Sequence, residues 1–232
     1  MNIQGLQKLT LLDFPGKTAC TVFTAGCDLR CPFCQNASLV IRPPQESEYS
    51  EDEILAYLKK RQGIIEGVAV TGGEPLMQPD IADFLQKVRD LGCAVKLDTN
   101  GTYPARLKEL VGAGLVDYVA MDVKAAPSGY PSAVGIGGYK LDKIKESIDF
   151  LLQDTVDYEF RTTVTRELNP IEDTVELGEF IKGAKRHYLQ AFKDSGELIG
   201  FGLSAHSKAD MERMREIMLG YVDSCEIGRA HV

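Results

Sequence analysis

No run of basic residues longer than Lys59-Lys60-Arg61 occurs in this chain. Its 232 residues carry 26 Lys and Arg against 34 Asp and Glu, a net charge of −8. Neutralising a phosphate backbone needs clustered cations, so no nucleic-acid partner is expected. No apolar stretch approaches the roughly 20 residues that span a bilayer, so no membrane partner is expected either. Met1-Asn2-Ile3-Gln4-Gly5 lacks the charged-then-apolar pattern of a leader. A reducing, cytoplasmic compartment follows, in which thiols stay free. No internal repeat is discernible, and the length suits one domain. Histidine is scarce: His187, His206 and His231 all lie far along the chain from the place where cysteines gather.

That place is Cys27-Asp28-Leu29-Arg30-Cys31-Pro32-Phe33-Cys34, with C-x3-C-x2-C spacing. Cys20-Thr21-Val22-Phe23-Thr24 before it reads as a strand ended by Ala25-Gly26, so the thiols sit on a loop at a strand's C-terminal end. Three thiolates this close suit a metal or an iron–sulfur cluster. A four-iron cluster has four corners, and this loop fills three. An odd count in a reducing compartment argues against a disulfide. A structural zinc site wants four closed ligands, and Cys20, Cys93 and Cys225 are scattered. A non-catalytic zinc-binding module remains the alternative reading of these residues.

Strand and helix signals alternate along the chain. Leu9 to Leu12 reads as a small strand in a short lead-in, and Arg42-Pro43-Pro44 breaks the chain. Ser50 and Glu53 make a capping box for a helix with Ile54, Leu55 and Leu58 on one face. Residues 64–70 form a buried-strand run into Thr71-Gly72-Gly73-Glu74-Pro75. Pro79 and Asp80 open a helix bearing Ile81, Phe84, Leu85 and Val88, and residues 94–97 form a strand delivering Asp98-Thr99-Asn100-Gly101. A helix from Pro104 precedes a strand over 116–121 that delivers Asp122 and Lys124. Residues 125–138 form a long Gly- and Pro-rich loop of the sort that is often functional. A helix around Ile144, a strand over 158–164, a helix over 170–182 with Val175 inward, and a strand over 187–192 follow. A helix over 207–219 packs a methionine face, and a short strand lies at 221–226.

Helical crossovers give parallel strands with right-handed connections. About six βα units imply an α/β fold: a partial, open (β/α)6 TIM-like barrel over residues 1–225, with chemistry at the C-terminal strand ends. The unusual residues fall on those ends. Gly72 and Gly73 permit close backbone approach to a ligand. Glu74 suits an ammonium. Asp98 and Asp122 suit hydroxyls or a cation, and Lys124 and Arg161 suit a carboxylate.

The three-cysteine loop followed by Gly72-Gly73-Glu74-Pro75 resembles the radical S-adenosylmethionine superfamily. That resemblance implies a [4Fe-4S] cluster on Cys27, Cys31 and Cys34, whose open iron chelates S-adenosylmethionine. Asp98-Thr99-Asn100-Gly101 and Met121-Asp122-Val123-Lys124 resemble glycyl-radical-enzyme activating enzymes. The opening Gly5-Leu6-Gln7-Lys8 and Asp13-Phe14-Pro15-Gly16-Lys17, with Tyr158 to Val164, are most similar to anaerobic ribonucleoside-triphosphate reductase activating proteins. The implied cofactor-binding set is Phe33, Gly72, Gly73, Glu74, Asp98, Asn100, Asp122, Lys124 and Arg161, with a monovalent cation near Asp98 and Asp122. No catalytic side chain beyond the cluster ligands is implied. The implied partners are a glycyl-radical enzyme, above all anaerobic ribonucleotide reductase, and flavodoxin or ferredoxin as electron donor. The activase of another glycyl-radical enzyme, such as pyruvate formate-lyase, and a small-molecule enzyme, such as 7-carboxy-7-deazaguanine synthase, are the alternatives. Two departures stand out. Gln35 follows the third cysteine where many relatives carry His, and residues 226–232 read as a non-native tail.

Overall fold

Eight strands form one sheet in the order of the chain. The computed structural model describes residues 1–41 and 46–229. Strand β1 (Ile3–Thr10) runs antiparallel to β2 (Ala19–Thr24). After helices α1 (Ala37–Ile41) and α2 (Glu51–Lys60), strand β3 (Gly67–Gly72) pairs parallel with β2. Helix α3 (Ile81–Asp90) leads to β4 (Ala94–Thr99), and α4 (Pro104–Gly112) to β5 (Tyr118–Asp122). The short α5 (Tyr130–Ala133) and α6 (Asp142–Leu151) precede β6 (Asp157–Val164). Helix α7 (Thr174–Phe180), strand β7 (His187–Ala191), helix α8 (Lys208–Met218) and strand β8 (Cys225–Arg229) complete the order. Every pairing from β2 to β8 is parallel and joins consecutive strands. The architecture is therefore the expected partial barrel, with one antiparallel strand added at its first edge.

Two faces of each strand have different tasks, because successive side chains point to opposite sides. Outward-facing residues pack under the helices. In α3, Ile81, Phe84, Leu85 and Val88 are all fully buried, each contributing about 1.5–3 kcal/mol of hydrophobic stabilisation. Residues at the alternate positions line a cavity of about 310 Å³ inside the curved sheet, among them Thr21 and Phe23, Lys96 and Asp98, Glu159 and Arg161, and Tyr188 and Gln190.

Several local expectations need correction. The first strand spans Ile3–Thr10, and Leu11 and Leu12 lie beyond it, exposed. Ile64 is exposed, because it belongs to the turn after α2, where its N–H bonds Arg61 O, and β3 starts only at Gly67. The helix expected over 170–182 is a 3-10 turn, Ile171–Asp173, followed by α7. That break changes the helical phase, leaving Val175 exposed and turning Leu177 and Gly178 inward. The long loop contains α5, whose Tyr130 is fully buried. The last strand lies at Cys225–Arg229 rather than 221–226, pairing with β7 and crossing the boundary expected at residue 225. The chain break expected at Arg42-Pro43-Pro44 lies outside the described residues, as do residues 230–232. The capping box is present: Ser50 Oγ accepts from Glu53 N–H, and the Glu53 carboxylate accepts from Ser50 N–H. Among the described residues, no helix is long and apolar enough to cross a membrane.

Candidate active site

The cysteine loop leaves the C-terminal end of β2, and β3 ends directly beside it. Gly73 N–H donates to Thr24 O (2.8 Å), and Glu74 N–H to Gly26 O (2.7 Å). The two backbones touch so closely that a Cβ on Gly73 would lie 1.9 Å from Gly26 O. Gly72 has φ +117°, and a Cβ there would lie 2.4 Å from Thr24 N and O. Only glycine fits both positions. Asn36 Nδ2 closes the far side of the loop on Gly72 O (3.0 Å). The two glycines thus lock the loop's base.

Cys27, Cys31 and Cys34 all line the cavity, while Cys20, Cys93 and Cys225 do not. All three loop thiols have raised pKa values, chiefly through burial: Cys27 is pushed up to about 11 and Cys31 to about 12. Metal binding at such thiols must release their protons. Leu29 N–H points at Cys27 Sγ (3.4 Å), and Asn100 Nδ2 reaches the same sulfur (3.7 Å) and Asp28 Oδ1 (3.0 Å). Among the described residues, no three His, Cys, Asp or Glu side chains converge on one ion position. A cuboidal cluster makes no such demand, since each thiolate takes a separate iron. Three thiols on one loop, facing one cavity without a fourth, fit the donor set of a cluster with an open corner.

Across the cavity lies a continuous ion-pair network. Arg161 Nη1 donates to Asp98 Oδ2 (3.2 Å) and its Nε to Asp122 Oδ1 (2.9 Å). Lys124 Nζ donates to Asp122 Oδ2 (2.9 Å), and Lys96 Nζ to Asp98 Oδ1. Burial, the largest single influence, pushes both carboxyls up, but Arg161 and Lys96 together outweigh it at Asp98, and Arg161 and Lys124 together at Asp122. Asp98 is lowered, and Asp122 falls to about 2. Lys124 and Arg161 are raised in turn, burial being overcome chiefly by Asp122. Lys124 is held from behind: Tyr130 Oη accepts from its N–H (3.4 Å), and Asn169 Nδ2 donates to its carbonyl (3.1 Å). Its ammonium also stands 5.9 Å over the Phe33 ring, which links this network to the cysteine loop.

Glu74 has a different place from the one its sequence context suggested. It is fully buried and does not line the cavity. Its Oε1 accepts from Leu76 N–H (3.1 Å) and Thr99 Oγ1 (2.9 Å), and its Oε2 from Asn100 N–H (2.7 Å). Burial nonetheless pushes its pKa up to about 7, against those three bonds. Glu74 is therefore a brace that ties the β3 end to the β4 end, and it positions Asn100. The expected monovalent cation meets a similar difficulty, since Asp98 and Asp122 already hold three cationic side chains between them.

Some site residues escaped the sequence reading. Lys96 and Glu159 face the cavity, each two positions before a recognised residue on the same strand. The two-residue period before Asp98 and Arg161 was the signal that could have found them. Asn36 carried no signal, because its partner Gly72 is distant in sequence. Gln35 donates to Lys193 O (2.8 Å), so it ties the cysteine loop to the segment after β7.

The family model described as Radical SAM superfamily matches residues 21–181. A Methanocaldococcus jannaschii protein, provisionally named a glycyl-radical enzyme activating enzyme, is 27% identical over 97% of this chain and 95% of its own length. The 7-carboxy-7-deazaguanine synthase of Clostridium acetobutylicum is 26% identical over 66% of this chain and 68% of its own. Among solved structures, Streptococcus suis SuiB bound to S-adenosylmethionine superposes with a TM-score of 0.67 at 17% identity, covering 88% of this chain and 48% of SuiB.

Proposed function

The chain belongs to the radical SAM superfamily, whose model matches well over half of its length. From that premise we propose that it activates a glycyl-radical enzyme, with anaerobic ribonucleoside-triphosphate reductase as the partner and flavodoxin or ferredoxin as the electron donor. One observation carries the reading: three thiols and the Asp98–Arg161–Asp122–Lys124 network face each other across a single cavity. The near full-length similarity to the Methanocaldococcus jannaschii relative supports the choice of an activase.

A bound four-iron cluster would supply the one-electron reducing power for cleaving S-adenosylmethionine, the chemistry by which a hydrogen atom is taken from a partner's glycine Cα. This chain's residues supply position. Cys27, Cys31 and Cys34 would hold the cluster, and Asn100 and the Leu29 N–H already point at Cys27 Sγ. Gly72 and Gly73 leave the backbone open for the methionyl ammonium. Lys124 and Arg161 offer cationic hydrogen bonds to the methionyl carboxylate, and Asp122 keeps both charged and aimed. Phe33 would present its backbone to the adenine.

The test is anaerobic incubation of the reduced protein with S-adenosylmethionine and candidate glycyl-radical enzymes, read by electron paramagnetic resonance. A glycine-centred doublet on the ribonucleotide reductase is the expected outcome. Turnover of a small molecule such as the deazaguanine precursor, with no doublet on any candidate, would favour the synthase to which part of the chain is also similar.

A further inference from the structure

Lys96 has no task in the mechanism above, yet it is only 2% exposed and its ammonium enters the cavity. It lies two residues before Asp98 on β4, so both side chains project to the same lumenal face. All four oxygens of the two lumenal aspartates are engaged. Asp98 Oδ1 takes Lys96, Asp98 Oδ2 and Asp122 Oδ1 take Arg161, and Asp122 Oδ2 takes Lys124. Within this network three cations face two carboxylates. Glu159, which also lines the cavity, has its Oε2 occupied by the Tyr118 hydroxyl at 2.6 Å. With Glu159 and Asp13 counted, four lining carboxylates face three cations, so the wall is already negative by one charge and loses a further cation without Lys96.

Resting on the proposed activity, we infer that Lys96 is a positioning residue acting as a built-in counter-cation. It holds Asp98 and makes S-adenosylmethionine binding independent of any free alkali ion. Without Lys96, Asp98 Oδ1 loses its partner and Arg161 alone serves Asp98 while also holding Asp122, an under-compensated buried carboxylate that would draw in a small cation from solvent. It would also repel the ligand's carboxylate. With Lys96 present, the position such an ion would take beside Asp98 is filled covalently. The depressed pKa of Asp98, to which Arg161 and Lys96 contribute against burial, is consistent with this arrangement.

The experiment uses anaerobically reconstituted holoenzyme without reductant, so that binding is measured and no cleavage occurs. Dissociation constants for S-adenosylmethionine are compared in tetramethylammonium, sodium and potassium chloride at equal ionic strength. The wild type should bind within twofold in all three salts. Lys96→Met should bind at least tenfold more weakly in tetramethylammonium and recover in sodium or potassium. Lys96→Arg, which keeps the charge, should show no salt preference. Three results would overturn the inference: wild-type binding at least tenfold tighter in sodium or potassium, Lys96→Met binding like wild type, or Lys96→Met weakened equally in every salt. The wild-type comparison stands by itself if Lys96→Met takes up no iron. An iron-loaded wild type that binds S-adenosylmethionine in no salt overturns the proposed activity, and this inference with it.

Discussion

Arg161 bridges two buried aspartates, and its removal leaves both short of a cation. Breaking one partner out of a buried ionic network costs roughly 3–5 kcal/mol. Arg161→Met should lower unfolding stability by about that amount at neutral pH, measured by urea titration. A carboxyl with a depressed folded pKa contributes stability above its unfolded value of 3.8, and that stability is lost as pH falls towards about 2. The penalty of Arg161→Met should therefore shrink below pH 3. Glu74 has the opposite sign. Its folded pKa lies above the ordinary 4.5, so its share of stability is complete below 4.5 and is lost as pH rises through about 7. Glu74→Gln cannot ionise. Its stability relative to wild type should improve by about 3 kcal/mol between pH 4.5 and pH 8. A flat difference across that window would show that the three donors around Glu74 cancel its burial.

At the level of elements, the site depends on how the ends of β2 and β3 close against each other. Helix signals were legible: the Ser50 capping box and the apolar face of α3 both lie in contiguous stretches of sequence. The contact between Gly73 and Gly26 was not, because it joins residues 47 positions apart through backbone alone. Gly73→Ala places a Cβ 1.9 Å from Gly26 O, and backbone on both sides cannot yield cheaply. The variant should fold around its outer helices but take up less than half the wild-type iron on anaerobic reconstitution. Wild-type iron content in Gly73→Ala would show that the two strand ends can separate without loosening the cysteine loop.

For the whole molecule, ligand binding and stability are linked. A ligand held by groups from several strands binds only the folded chain. At a hundredfold excess over its dissociation constant it adds about 2.7 kcal/mol, or roughly 5–10 °C in melting temperature for a domain of this size. S-adenosylmethionine should raise the melting temperature of the reconstituted protein by that amount and leave a Cys31→Ala variant unmoved. An equal shift in both would place the ligand away from the cysteine loop.

The sequence by itself determined the barrel and the identity of most groups around its mouth. Alternating periodicities define strands and helices locally, and parallel strands carry the residues after each strand to one end. The spacing of Cys27, Cys31 and Cys34 is likewise a local property of eight residues. Tertiary structure decided what each group faces. Glu74 turned inward to brace Thr99 and Asn100, because the β3 end packs against the β4 end. Lys96 joined the site because strand alternation and the curvature of the sheet bring it beneath Asp98. Which carboxylate meets which cation depends on register between strands, and that is fixed only when the sheet closes around its cavity.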